Sequence, residues 1–159
     1  MGIKTVEVAE TPYLYVAGAA PMDPVLIGKE MDKAFGRLMA FMKESGIAPG
    51  GAPMAVYHDY DPERMVFRAA IPVSEEDAGR AADDVEASVT PGGTVHTFTH
   101  TGPYSGLREA YAAVEAELAR DGKSLGVPTW EVYANDPAET PESDLRTEVY
   151  SIAAERRAS

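Results

Sequence analysis

The sequence predicts an α+β domain in which a strand, helix, strand, strand unit occurs twice. The two copies build one antiparallel sheet with a pseudo-twofold axis, two main helices and a ligand pocket between the halves. Three observations carry this. Two stretches place apolar residues at helical spacing: Met31, Ala34, Phe35, Leu38 and Met42, then Leu107, Ala110, Tyr111, Val114 and Leu118. The second set repeats the offsets of the first 76 residues later (Met31 to Leu107), and the register extends to Gly46 with Gly122 and to Val56-Tyr57 with Val132-Tyr133. Around both helices lie short alternating or apolar runs bounded by Pro and Gly, the pattern of strands and turns. The copies run over about 3–73 and 84–154 within a single domain of 1–159.

In chain order, Thr5 to Ala20 is a Val, Tyr and Ala run that Pro12 confines to an edge or interrupted strand, and Pro21-Met22-Asp23-Pro24 breaks it. Helical period begins at Ile27 and ends at Gly46, a residue suited to a helix stop. Pro53 to Tyr60 and Met65 to Val73 read as a hairpin through Asp61-Pro62-Glu63-Arg64. Ser74 to Ala82 combines a helix-start pattern at Ser74 and Asp77 with mostly Ala and acidic residues, and no single element is assigned to it. Val85 to Val89 and Thr94 to His100 alternate on either side of Pro91-Gly92-Gly93 and read as a second hairpin. The second helix follows Pro103, with Ser105 available as its cap. Thr129 to Tyr133 is a strand stopped by Asn135-Asp136-Pro137, and a last strand runs from Leu145 to Ala153 before a frayed Arg156-Arg157 tail.

Composition narrows the function. With 159 residues, 45% hydrophobic, the chain suffices for one cored domain. Twenty-six acidic against 14 basic residues leave a net charge of -12, which repels nucleic acid and anionic membrane and suits cationic or neutral partners. The absence of cysteine excludes disulfides, thiolate metal sites and thiol nucleophiles. Met-Gly-Ile-Lys-Thr-Val lacks the apolar run of a signal peptide, and a cytoplasmic location is expected. His96 and His100 share a strand face at too wide a spacing for obvious joint ligation. No His-Glu-x-x-His, phosphate loop, dinucleotide fingerprint or Gly-x-Ser-x-Gly occurs, so neither metal nor cofactor is expected.

The chemistry concentrates in Thr129 to Pro137, which holds the only tryptophan and a carboxylate inside apolar sequence. On a regular strand Glu131 and Tyr133 share one face while Trp130 and Val132 share the other. Glu131 is then either a solvated carboxylate on an exposed face or a charge held in a ligand cavity. Burial there would raise its pKa and make the anion costly until a cation or donor arrives. The first copy has Ala55 at the position of Glu131, so the fold itself needs no carboxylate there. Trp130 points to the core on a regular strand and into the pocket only if a bulge turns it. Tyr104, Tyr57, Tyr133, Tyr13 and Tyr15 are candidates for an aromatic wall, set against the plain alternative of core aromatics. Tyr104 corresponds to Gly28 in the first copy.

Taken together, Val56-Tyr57 to Asp61-Pro62, Phe67 to Ile71-Pro72-Val73, His100-Thr101-Gly102-Pro103-Tyr104, Trp130-Glu131-Val132-Tyr133 to Asp136-Pro137 and Thr147-Glu148-Val149 resemble the GyrI-like effector-binding domain, which also forms the C-terminus of multidrug-sensing transcription regulators. The resemblance implies an aromatic pocket with a buried glutamate, which falls on Glu131, and brings Tyr104, Tyr57 and Tyr133 toward it. Trp130, Phe67, His100 and Tyr13 complete the expected ligand-binding set. Regulators of this family carry a helix-turn-helix segment that this chain has no room for, so the free-standing form is expected. Such forms include small-molecule binders, hydrolases that open the cyclopropane ring of DNA-alkylating compounds, and gyrase inhibitors. The expected function is binding of aromatic or lipophilic compounds, whether cationic or neutral. The alternatives are a hydrolase with Glu131 and Tyr104 as catalytic residues, and a protein that contacts DNA gyrase.

Overall fold

In the computed structural model residues 3–58, 63–136 and 138–155 are described. The expected Asp61-Pro62 turn, the Pro137 stop and the Arg156-Arg157 tail lie outside them. The elements are β1 (Lys4–Val8), β2 (Thr11–Pro21), α1 (Pro24–Ser45), β3 (Met54–Tyr57), β4 (Arg64–Pro72), the short α2 (Glu75–Ala78), β5 (Glu86–Thr90), β6 (Gly93–Thr101), α3 (Leu107–Arg120), β7 (Lys123–Tyr133) and β8 (Arg146–Glu155). No helix among the described residues is long and apolar enough to cross a membrane.

Helix α1 starts three residues before its apolar period. Asp23 caps it by accepting from the amides of Val25 at 2.9 Å and Leu26 at 3.4 Å, and Pro24 stands in the first turn, where its missing N–H costs nothing. Gly46 ends it at φ 69°, the left-handed geometry that glycine adopts without strain. Ser74 caps α2 through the Asp77 amide, which resolves the segment the sequence left open. Helix α3 departs from expectation: a 3-10 turn, Tyr104–Gly106, precedes it, and no side chain, Ser105 included, caps either.

All eight strands form one antiparallel sheet in the order β1-β6-β8-β7-β3-β4-β2-β5. Its middle six, β6-β8-β7 and β3-β4-β2, mirror one another about the β7–β3 seam. The expected second hairpin does not form. Strands β5 and β6 do not pair; β5 joins β2, and β6 joins β1 and β8. Likewise Thr5 to Ala20 divides into β1 and β2, which lie in opposite halves. Each outer strand thus completes the half to which its chain neighbour does not belong. Local turn chemistry could not reveal that, because long-range pairing decides it.

The sheet curls. Val6, Val8 and Val95, from β1 and β6, pack in one cluster with Tyr13 and Tyr15 of β2 and with Trp130, so the two sides of the sheet approach across its concave face. The other face carries the helices. Leu38, Phe41 and Met42 of α1 pack on Leu14 and Ile71, while Ala110, Val114 and Leu118 of α3 pack on Phe98 and Val149. Burying each large apolar side chain contributes about 1.5–3 kcal/mol.

Gly18 of β2 lies opposite Phe67 of β4, and a Cβ there would stand 2.5 Å from Phe67 Cζ. The Phe67 ring is buried among Ala34 and Ala69 and has little room to retreat. Gly18→Ala is expected to cost about 1–3 kcal/mol by overpacking, read as a fall in melting temperature of about 3–10 °C. An unchanged melting temperature would mean that the ring moves aside freely.

Candidate functional site

Register places the site. Glu131 pairs with Ala55 across the β7–β3 seam and with Val149 of β8, and Val149 pairs with Phe98 of β6. Cross-strand partners share a face, so Glu131 lies on the helix-bearing side, at the junction of the two halves. The smallness of Ala55 leaves room for the longer side chain opposite it. β7 is irregular between Leu125 and Thr129 but regular from Thr129 to Tyr133, so no bulge turns Trp130 onto that face.

Glu131 is 6% exposed and accepts three tyrosine hydroxyls. Tyr111 of α3 donates to Oε2 at 2.7 Å, Tyr133 to Oε1 at 3.0 Å, and Tyr57 of β3 to Oε1 at 3.5 Å. The three donors come from both halves. Burial raises the carboxyl pKa, and the tyrosine hydrogen bonds pull it down without cancelling that rise. Burial also pushes Tyr57, Tyr111 and Tyr133 well above the ordinary phenol range, reinforced by the Glu131 charge, so all three remain protonated donors at neutral pH. Among the described residues no basic side chain pairs with Glu131. The site therefore holds a desolvated anion, or its acid, neutralised only by hydroxyl dipoles.

Aromatic rings surround it. Tyr104, on the 3-10 turn, packs against Tyr133 with ring centroids 5.4 Å apart, and its hydroxyl pKa is raised by burial first and then by Asp136 and Glu131. Tyr111 meets Phe98 edge-on at 5.5 Å. Phe67 is buried on the same face with Tyr57 packed against its cluster. His100 lies at the margin, its Nε2 2.9 Å from the Pro103 carbonyl, where it ties down the turn that carries Tyr104.

Two expected ligand contacts lie on the opposite face. Trp130 stacks on Tyr150 at 5.6 Å with a 13° interplanar angle. Tyr13 is fully buried, and its hydroxyl accepts from Arg68 Nη1 at 3.0 Å. Arg68 also covers the Tyr15 ring at 4.3 Å, and the Tyr15 hydroxyl, its pKa pushed up to about 12 chiefly by burial, donates to Glu86. A cavity of about 350 Å³ opens on this concave face between Val8, Met54, Trp130, Val132 and Tyr150. Glu131 itself is buried, with the Tyr111 hydroxyl reaching it from α3 and Tyr104 packed on Tyr133.

Tyr111 escaped sequence reasoning. It falls on the apolar stripe of the second helix and reads as core. The signal was present in the comparison of copies: Phe35 occupies its place in the first, so the hydroxyl is an addition that belongs with the change from Ala55 to Glu131.

Among curated protein sequences none matches this chain. The fold has relatives among solved structures. The EcmrR C-terminal domain is 21% identical with a TM-score of 0.79, covering 97% of this chain and 98% of that one. In the EcmrR–DNA complex the chain spans only 57% of the whole EcmrR polypeptide. SAV2435, solved bound to tetraphenylphosphonium, is 10% identical with a TM-score of 0.64, covering 96% of this chain and 94% of the other. A protein of Listeria innocua called a hydrolase is 16% identical with a TM-score of 0.59, covering 96% and 91%. The sequence profile of the GyrI-like small molecule binding domain matches residues 1–151. With its curled eight-stranded sheet, two main helices and near-complete match to that profile, the chain belongs to the GyrI-like family of small-molecule-binding domains.

Proposed function

We propose that this protein binds aromatic, lipophilic cations, with Glu131 as counter-charge and Tyr57, Tyr104, Tyr111 and Tyr133 as the surrounding wall. The observation that supports this is the buried carboxylate without a basic partner. An entering cation meets a charge already out of water, aromatic faces that attract it, and hydroxyls that hold the carboxylate in place. The net charge of -12 adds long-range attraction of the same sign preference. The likeness to SAV2435, solved with tetraphenylphosphonium, makes that cation the natural first probe. Isothermal titration with tetraphenylphosphonium and with tetraphenylborate, an anion of the same shape, separates charge from size. The cation is expected to bind at least about tenfold tighter. Equal affinities, or binding of neither, would sink the reading.

Binding of the cation should follow the ionisation of Glu131, strengthening as pH rises through its raised pKa. Tyr111→Phe removes the shortest hydrogen bond to the anion and so moves that rise to higher pH. A binding curve of tetraphenylphosphonium against pH checks this, and an unmoved midpoint would show that Tyr111 does not stabilise the ionised form.

The raised carboxyl beside protonated phenols also favours a second reading, proton transfer during net addition of one water across a strained ring. Glu131 would activate the water while Tyr104 or Tyr133 polarises a carbonyl. Mass spectrometry of a cyclopropane-bearing alkylator incubated with substoichiometric protein tests it. Hydrated product in excess of protein supports turnover, and intact compound at stoichiometric levels excludes it for that substrate.

A further inference from the structure

Among the described residues two buried side-chain polar atoms lack a hydrogen-bond partner, His96 Nε2 and Thr147 Oγ1. His96 is otherwise held through Nδ1 by Thr5 on the outer strand, beside Ser151. Thr147 is different in its location. Its side chain is 0% exposed, and on β8 it is the cross-strand partner of Tyr133 on one side and of His100 on the other. It therefore shares the Glu131 face, two residues along β8 from Val149, the partner of Glu131 itself. Diagonal neighbours of this kind stand about 7–8 Å apart.

The polar groups of its two cross-strand partners are already engaged: the Tyr133 hydroxyl goes to Glu131, and His100 Nε2 goes to the Pro103 carbonyl. Tyr104, packed on Tyr133, rides on the turn that His100 holds. A desolvated hydroxyl left without a partner costs stability and calls for an explanation, and a bound molecule that completes it supplies one. Threonine and valine have the same shape, so Val would fill this strand position without that cost.

Resting on the cation-binding reading above, we propose that Thr147 determines ligand specificity, its hydroxyl bonding a polar substituent carried on a short arm of the aromatic cation whose charge meets Glu131. The ligand class this selects is an aryl cation bearing a hydroxyl, ether or carbonyl a few bonds from the charged atom.

Two probes of nearly equal size test it by titration of the full chain: (3-hydroxypropyl)triphenylphosphonium and butyltriphenylphosphonium. Thr147→Val is expected to weaken the hydroxypropyl probe about tenfold and the butyl probe less than about twofold. Its melting temperature should be unchanged or higher, and Thr147→Ser should restore the preference. Equal weakening of both probes, no weakening of either, or a lowered melting temperature would each assign the hydroxyl a purely structural role and overturn the inference. Glu131→Gln separates the two claims. If it weakens both probes while Thr147→Val is silent, the cation site stands and Thr147 drops out. If wild-type protein binds neither probe, or Glu131→Gln changes neither, the cation site falls and the inference with it.

Discussion

Glu131→Gln is expected to weaken tetraphenylphosphonium binding about a hundredfold, the scale on which removing one partner of a buried charge pair acts. The amide keeps the shape of the carboxylate and its oxygen can still accept at one of the two positions, from Tyr111 or from Tyr133, so the loss should chiefly reflect charge and not a collapsed pocket. Stability should move the other way. Burial raises the Glu131 pKa above its unfolded value, so the folded protein holds that proton more tightly than the unfolded chain does. The associated stabilisation is complete below the unfolded pKa, near pH 4, and is lost as pH rises through the folded pKa. Glutamine never ionises, so the variant should be more stable than wild type at neutral pH, with the difference vanishing in acid. Melting curves at several pH values check the sign. A variant less stable at neutral pH, or weakened equally toward the cation and tetraphenylborate, would mean that Glu131 serves the fold.

Trp130→Ala should produce the largest loss of stability, about 3–5 kcal/mol for removing a buried indole, or a fall in melting temperature of about 10 °C or more. The ring is 5% exposed, stacked on Tyr150 and packed with Met54, Val56 and Ala70 on the concave face. Trp130→Phe keeps most of that packing and should leave cation affinity within about twofold, because adjacent strand residues face opposite sides. A melting temperature near wild type combined with a tenfold loss of affinity in the Phe variant would put the indole against the ligand.

How much of this was legible depends on the range of the interactions. The helices were readable because a 3.6-residue period and a stop at Gly46 or Gly122 are local signals. Pro21-Met22-Asp23-Pro24 does break the strand, which ends at Pro21, but the helix starts at Pro24 and not at Ile27, because its cap Asp23 and its first turn precede the apolar period. The β3–β4 pairing was readable from alternation. The absence of a β5–β6 hairpin was not, because alternation identifies a strand without naming its partner.

At the site, the face shared by Glu131 and Tyr133 followed from strand alternation alone, and comparison of the two copies marked Glu131 and Tyr104 as additions to the fold. The sequence by itself therefore determined the fold class, the two helices and the carboxylate on which the functional reading turns. Only the tertiary structure decided that Ala55 lies directly opposite that carboxylate, that Tyr111 reaches it from α3, and that Tyr13 lies behind the sheet from it. Those relations join residues distant in sequence, and they arise from sheet register and helix docking, where packing of the whole chain chooses among pairings that local patterns leave equal.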